Sequence, residues 1–122
     1  MKAVVRVLLG DDHKIVREGL KMVLADDPQL QVVAEADTGP GVLDAVQQLQ
    51  GPQGIDVVLL DIAMPGRTGY QLIPVIREIS ANTKIIMLSM HATQEHVNSA
   101  LSLGAHGYLV KTSAPEELDL AI

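Results

Sequence analysis

The feature that most limits how this chain can fold is a regular alternation of short apolar runs with segments of helical periodicity. Five runs rich in Val, Ile and Leu predict β-strands at residues 4–9, 31–36, 55–60, 84–89 and 107–110. The second run is the least apolar, which is typical of a strand near a sheet edge. Between the runs, apolar residues recur at the three- and four-residue spacing of a helix that buries one face. The predicted stripes are Val16, Leu20, Val23 and Leu24; Val42, Ala45, Val46 and Leu49; Leu72, Ile73, Ile76 and Ile79; and Val97, Ala100 and Leu101.

This alternation predicts the fold class. Parallel strands joined by right-handed helical crossovers form a doubly wound sheet with helices on both faces. We therefore predict an α/β sandwich of the (βα)5 type, with a five-stranded parallel sheet, as one domain over residues 1–122. The SAPE sequence at 113–116 has capping-box spacing, so a fifth helix begins there and is truncated at Ile122. We expect the natural chain to continue beyond it.

Composition excludes several kinds of protein. The chain has no cysteine, which excludes disulfides and cysteine-based metal sites. A net charge of −6 argues against a surface that binds nucleic acid phosphates. The sequence contains no apolar run near the roughly 20 residues that cross a bilayer, and its first ten residues do not resemble a signal peptide. We expect a cytoplasmic location and no membrane contact.

Polar residues stand where the predicted strands end. Asp11 and Asp12 follow the first strand, Asp61 follows the third, Ser89 closes the fourth, and Lys111 follows the fifth. In a doubly wound sheet the ligand crevice lies outside the carboxyl ends of the strands. We therefore expect three carboxylates, a hydroxyl and an ammonium group to converge there.

This set of groups favours phosphoryl transfer with a metal ion. Neighbouring carboxylates repel one another unless a cation neutralises them, and oxygen ligands suit Mg²⁺. An aspartate can act as a nucleophile toward phosphorus, while a metal ion and a lysine stabilise charge on the transferring oxygens. The sequence thus predicts that Mg²⁺ is the cofactor and that one of these aspartates could accept a phosphoryl group.

The chain resembles the response-regulator receiver domains of two-component systems, which have a flavodoxin-like (CheY-like) fold. The resemblance covers essentially the whole chain in the family's order. It is carried by LLGDDH at 8–13, VVLLDIAMPG at 57–66, IIMLS at 85–89 and GYLVK at 107–111.

The resemblance implies a role for each matching residue. Asp61 would accept the phosphoryl group from a sensor histidine kinase, and Lys111 would pair first with Asp61 and then with the phosphoryl group. Ser89 and Tyr108 match the switch hydroxyl and the switch aromatic. The implied metal-site groups are Asp12 as direct ligand, Asp11 holding a coordinated water, Asp61, and the backbone carbonyl of Ala63. Since Ala63 has no side chain to orient an attacking water, we predict slow self-dephosphorylation.

The DDH sequence, the GYLVK pattern and Thr112 most resemble the NarL/FixJ (LuxR-type) branch. Members usually carry a C-terminal helix-turn-helix domain, so we expect transcription to be regulated through an output domain outside these 122 residues. The resemblance also implies a homodimer on phosphorylation.

Other interpretations remain open for single residues. Asp11 and Asp12 could cap the first helix, and Asp61 could belong to an ordinary turn. Lys111 could be a surface charge, and Tyr108 a packing residue. The remaining candidates are scattered histidines, which give little support to a histidine metal site: His13, His91, His96 and His106.

Other functions also remain open. A small Mg²⁺-dependent phosphohydrolase would usually have a second aspartate two residues after the nucleophile, where this chain has Ala63. A nucleotide-binding fold would need a glycine-rich phosphate loop, and no GxGxxG or GKS/T sequence occurs. A third alternative is a receiver-like platform that dimerises without phosphorylation.

Overall fold

A computed structural model describes residues 4–49, 54–61, 69–89, 98, 101–102 and 104–110. The strands within these ranges are β1 (Val5–Gly10), β2 (Leu30–Ala36), β3 (Val57–Asp61), β4 (Lys84–Ser89) and β5 (Gly107–Val110). The helices are α1 (Lys14–Ala25), α2 (Gly39–Gln48) and α3 (Gly69–Ile79).

The strands form a single five-stranded sheet in the order β2-β1-β3-β4-β5, and every neighbouring pair is parallel. This order confirms the predicted doubly wound α/β fold and the edge position of β2. The order reverses between β1 and β3, which pair directly, with Gly10 opposite Leu60. The carboxyl ends of these two strands therefore lie side by side at the switch point of the sheet.

Two apolar cores lie on opposite faces of the sheet, because successive strand residues point to opposite sides. One core contains Leu8 and Val58 from the strands, packed with the α2 and α3 stripes. The other contains Val7 and Leu9, packed with Leu20 and Leu24 of α1. These strand and α1 side chains are at most 3% exposed, and each fully buried residue of this kind contributes about 1.5–3 kcal/mol through its removal from water.

The first and third strands each end one residue later than their predicted bounds, at Gly10 and Asp61. The third strand begins at Val57, two residues later than predicted. Asp56, just before it, is tied to β1: its N–H donates to the Arg6 carbonyl at 2.8 Å, and its Oδ2 accepts the Arg6 N–H at 2.8 Å. Ile55 is buried although it lies outside the strand. The apolar run therefore predicted burial correctly and strand conformation incorrectly.

The stripe predicted for a fourth helix is wrong at Leu101, whose side chain is 48% exposed. Asn98, Leu101 and Ser102 have helical backbone, while Val97 lies outside the described residues. The predicted truncated fifth helix, from 113 onward, also lies outside them. Across the described ranges, no helix is long and apolar enough to cross a membrane.

Candidate functional site

The candidate site begins where β1 and β3 end. Asp11 directly follows β1, and Asp61 is the last residue of β3. Their side chains are almost fully buried, with 1% and 4% of their surface exposed, whereas the Asp12 side chain is 33% exposed. The fold thus places two acidic side chains inside the protein and a third at the opening.

The three carboxylates lie close together, as the sequence predicts. One oxygen from each of Asp11, Asp12 and Asp61, together with a ring nitrogen of His13, fall within 4.8 Å of one another. The His13 Nδ1 atom lies 3.1 Å from Asp11 Oδ1, 3.2 Å from Asp12 Oδ1 and 3.9 Å from Asp61 Oδ2. We call this group of four side chains the acidic pocket.

Asp11 has a fixed backbone and a fixed carboxylate. Its N–H donates to the Ala36 carbonyl at the end of β2, at 3.0 Å, and its carbonyl accepts a hydrogen bond from Arg17 Nη1. Its Oδ1 accepts the His13 N–H at 2.7 Å. These contacts come from β2, α1 and the loop between β1 and α1, so Asp11 is oriented from three directions.

The residue before the acid pair has a packing role that the sequence does not reveal. A Cβ atom at Gly10 would lie 2.9 Å from Val42 Cγ2 and 3.2 Å from Leu60 Cδ1. A side chain here would push α2 away from the sheet or displace the start of the acidic pocket. Close approach of α2 thus accounts for glycine at this position.

The acid pair does not cap the first helix. The residue at the N-cap of α1 is His13, its side chain makes no capping hydrogen bond, and the first turn contains no acidic residue. The Asp11 carboxylate instead accepts the His13 N–H inside the pocket. The capping interpretation of Asp11 and Asp12 is therefore wrong for the helix.

His13 is the pocket residue that sequence reasoning missed. The scattered spacing of the histidines gave no reason to choose any one of them, and the available signal was its position directly after the two aspartates. His106, the other described histidine, lies at the opposite end of the sheet, where its backbone N–H donates to the Ile85 carbonyl. His91 and His96 lie outside the described residues.

Two more predicted site residues, Ser89 and Tyr108, belong to β4 and β5. Ser89 is the last residue of β4 and pairs with Val110, and Asp61 of β3 pairs with Leu88, one residue before Ser89. Tyr108 of β5 is half-buried and packs against the core formed with α2 and α3. Lys111 and Ala63 lie outside the described residues.

Comparison with known proteins places this arrangement in a family. The family model described as "Response regulator receiver domain" matches residues 7–122. The response regulator UvrY of Escherichia coli (strain K12) is 40% identical over 118 residues, covering 97% of this chain and 52% of UvrY. The nitrate/nitrite response regulator protein NarL of the same strain is 37% identical over 112 residues, covering 92% of this chain and 50% of NarL. The chain thus spans about half the length of these curated relatives.

Solved structures show the same similarity. A two-component response regulator of the LuxR family from Aurantimonas sp. superposes with a TM-score of 0.86 at 32% identity, covering 96% of this chain and 81% of that one. The non-phosphorylated receiver domain of the stress response regulator RcsB from Escherichia coli has a TM-score of 0.87 at 27% identity, covering 96% of this chain and 88% of that one. With the fold, the acidic pocket and the family model in agreement, this chain belongs to the response regulator receiver domain family, in its NarL/FixJ (LuxR-type) branch.

Proposed function

We propose that this receiver domain accepts a phosphoryl group on Asp61 from the phosphohistidine of a sensor histidine kinase. The observation that carries the proposal is the convergence of Asp11, Asp12 and Asp61 at the carboxyl ends of β1 and β3. Three carboxylates held this closely repel one another, so a bound cation would stabilise the arrangement. The proposed phosphorylation chemistry requires a cation at the same place.

The donor set suits Mg²⁺. The carboxylates supply oxygen ligands, and Asp12 at the opening leaves room for the water ligands that Mg²⁺ retains. Asp12 and Asp61 would hold the ion directly with the backbone carbonyl of Ala63, and Asp11 would hold one of its waters. Bound there, the ion supplies charge stabilisation for the transferring phosphoryl oxygens.

Asp61 is the acceptor in this scheme. One of its carboxylate oxygens forms the new bond to phosphorus, while the bond between phosphorus and the kinase imidazole nitrogen breaks and the nitrogen keeps the electron pair. The burial of Asp61 limits access of water to the acyl phosphate. Lys111 supplies a cation that pairs with Asp61 beforehand and with a phosphoryl oxygen afterwards.

The new charge then acts on the neighbouring strands. Ser89, at the end of β4, would hydrogen-bond the phosphoryl group, and Tyr108 would move inward to fill the space that Ser89 leaves. The pairing of Ser89 with Val110 couples the ends of β4 and β5, which supports this proposal. The local change in charge would thus shift the equilibrium between two conformations of this surface.

The domain would have partners beyond the kinase. The two-state surface would form a homodimer on phosphorylation and would control transcription through a C-terminal helix-turn-helix domain outside residues 1–122. We place the protein in the cytoplasm, where a sensor kinase presents its phosphohistidine. Sedimentation of the domain with and without beryllofluoride tests the dimer, and a monomer under both conditions would remove dimerisation from the mechanism.

The phosphorylation itself is tested with acetyl phosphate. Wild type, Asp61→Ala and the exposed-residue control Asp44→Ala are incubated with and without Mg²⁺ and followed by intact mass. We expect wild type and Asp44→Ala to gain one phosphoryl group only with Mg²⁺, and Asp61→Ala to gain none. A folded wild type that gains no adduct would contradict the proposal, whereas rapid donor hydrolysis without an adduct would support a phosphohydrolase.

The lifetime of the adduct tests the role of Ala63. After acetyl phosphate is removed, the phosphorylated protein is sampled by intact mass over time. We expect slow loss, because alanine cannot orient a water for attack on phosphorus. A half-life of seconds would contradict this part of the proposal.

A further inference from the structure

Arg17 contacts the acidic pocket without belonging to it. It lies in the first turn of α1, and its side chain is only 16% exposed. The guanidinium group donates from Nη1 to the backbone carbonyl of Asp11 and from Nε to Glu35 Oε1 at 3.2 Å. One planar group thus connects three elements: α1, β2 and the loop that carries the acid pair.

Glu35 holds the guanidinium in place. Its second oxygen, Oε2, accepts from Lys21 Nζ at 2.9 Å, and Lys21 also pairs with Glu18 Oε1 at 2.9 Å. Glu35 of β2 lies opposite Leu9 of β1, and Leu9 is two residues before Asp11 in the chain. Arg17 and Lys21, both on α1, therefore share the Glu35 carboxylate of β2. Among the described contacts, Arg17 is the one that reaches Asp11.

Charge repulsion and peptide positioning predict opposite effects of removing the Arg17 side chain. If it acted only as a cation near the pocket, it would repel a divalent ion, and its removal would strengthen metal binding. If it acted by fixing the Asp11 peptide group, its removal would free that peptide to rotate and would weaken metal binding. Mutating a residue that orients a metal ligand through a hydrogen bond typically lowers the affinity for the metal by about 10- to 100-fold.

We propose that Arg17 is a positioning residue that orients Asp11 for Mg²⁺ binding, with Glu35 setting the direction of its guanidinium. This inference rests on the proposed function, since it assumes that the acidic pocket holds the ion. The two donor directions are essential: the planar guanidinium bonds Glu35 and the Asp11 carbonyl at once, whereas a lysine ammonium is a point charge at the end of a flexible chain.

The test compares the Mg²⁺ affinity of Arg17→Met, Arg17→Lys, the matched control Lys21→Met and wild type. Lys21→Met removes a cation from the same helix and the same Glu35 carboxylate but leaves the Asp11 contact intact. Affinity is measured by ¹⁵N NMR titration with MgCl₂, because the chain has no tryptophan to report binding by fluorescence. Thermal unfolding of each variant shows that it is folded.

We expect Arg17→Met to weaken Mg²⁺ binding about tenfold. Arg17→Lys should also weaken it severalfold despite the retained charge, and Lys21→Met should stay within twofold of wild type. Unchanged or tighter binding by Arg17→Met would overturn the proposal in favour of simple charge repulsion. An equal loss in Lys21→Met would also overturn it, since the Glu35 ion pairs would then be the cause. If Arg17→Met does not fold, Arg17→Lys decides between the outcomes.

Failure of this inference differs from failure of the proposed function. If wild type gains a Mg²⁺-dependent phosphoryl group but the Arg17 variants bind Mg²⁺ normally, only the positioning role is wrong. If wild type neither binds Mg²⁺ nor gains the adduct, both proposals are wrong.

Discussion

Buried polar groups have different neighbours at the two ends of the sheet. At the amino end, Thr83 is fully buried, donates to the Ile55 carbonyl at 2.7 Å and lies 2.7 Å from Ser80 Oγ. The Asp56 carboxylate there accepts the Arg6 N–H. At the carboxyl end, Asp11 and Asp61 are as deeply buried, but their carboxylates lie close to each other, to a third carboxylate and to the His13 ring.

This difference in neighbours suggests a different role for each end of the sheet. Complementary hydrogen bonds at the amino end satisfy groups that would otherwise lose their contacts with water. Like charges at the carboxyl end repel one another, so we expect a bound cation to lower the free energy of the fold. The amino end supports the sheet, and the proposed function gives the carboxyl end the role of binding a cation.

Thr83 is where hydrogen bonding at the amino end should matter most. Thr83→Val keeps the shape of the side chain but removes the hydroxyl, which leaves the buried Ile55 carbonyl without this donor. We expect the free energy of unfolding to fall by about 2 kcal/mol, measured by urea denaturation. Thr83→Ser retains the hydroxyl and should lose clearly less. A stable Thr83→Val beside a destabilised Thr83→Ser would show that methyl packing, and not the hydrogen bond, supports this end.

At the carboxyl end, Mg²⁺ should stabilise the protein. At a concentration ten times its Kd, the ion should raise the free energy of unfolding of wild type by about 1.4 kcal/mol, because it binds the folded state. Urea denaturation with MgCl₂ or with EDTA measures the difference. Asp44→Asn, at an exposed site on α2, should gain as much as wild type. A similar gain in Asp11→Asn would indicate that Mg²⁺ acts elsewhere.

Removing one pocket charge should also stabilise the protein in EDTA. Asp11→Asn keeps a side-chain oxygen for the His13 N–H but relieves repulsion with Asp12 and Asp61. We expect the free energy of unfolding to rise by about 1 kcal/mol, with no rise for Asp44→Asn. Destabilisation by Asp11→Asn would mean that the pocket charges are already compensated, and the contrast between the two ends would fail.

The smallest effect is expected at His106. Burial first, and then the Lys84 and Arg77 cations, lower its pKa from the ordinary 6.5. Its Nδ1 accepts the Ile85 N–H, a bond that protonation would remove. The unfolded chain therefore takes up a proton at higher pH than the folded protein, so this contribution is complete above pH 6.5 and is lost as the pH falls toward the lowered value.

Thermal unfolding between pH 7.5 and 5 measures this effect. Wild type should lose more stability on acidification than His106→Asn, whose side-chain oxygen can accept the Ile85 N–H without titrating. An identical pH dependence for the two proteins would remove His106 from the stability of the amino end.

Much of the fold could be predicted because its signals are local. Apolar runs and helical stripes predicted all five strands and the faces of α1, α2 and α3, since each pattern records which side of an element is buried. The prediction failed at Ile55, which is buried but lies outside the strand. It also failed at Leu101, where an apolar residue is exposed.

The sequence by itself determined the order of strands and helices along the chain and the class of fold. It also determined that three aspartates meet at the carboxyl ends, because parallel strands bring the residues at their ends to one edge. Only the tertiary structure decided that His13 enters the acidic pocket and that Arg17 joins Glu35 to the Asp11 carbonyl. These contacts depend on how α1 packs beside β2. That packing is set by the summed burial of many distant side chains, so no local pattern in the sequence specifies it.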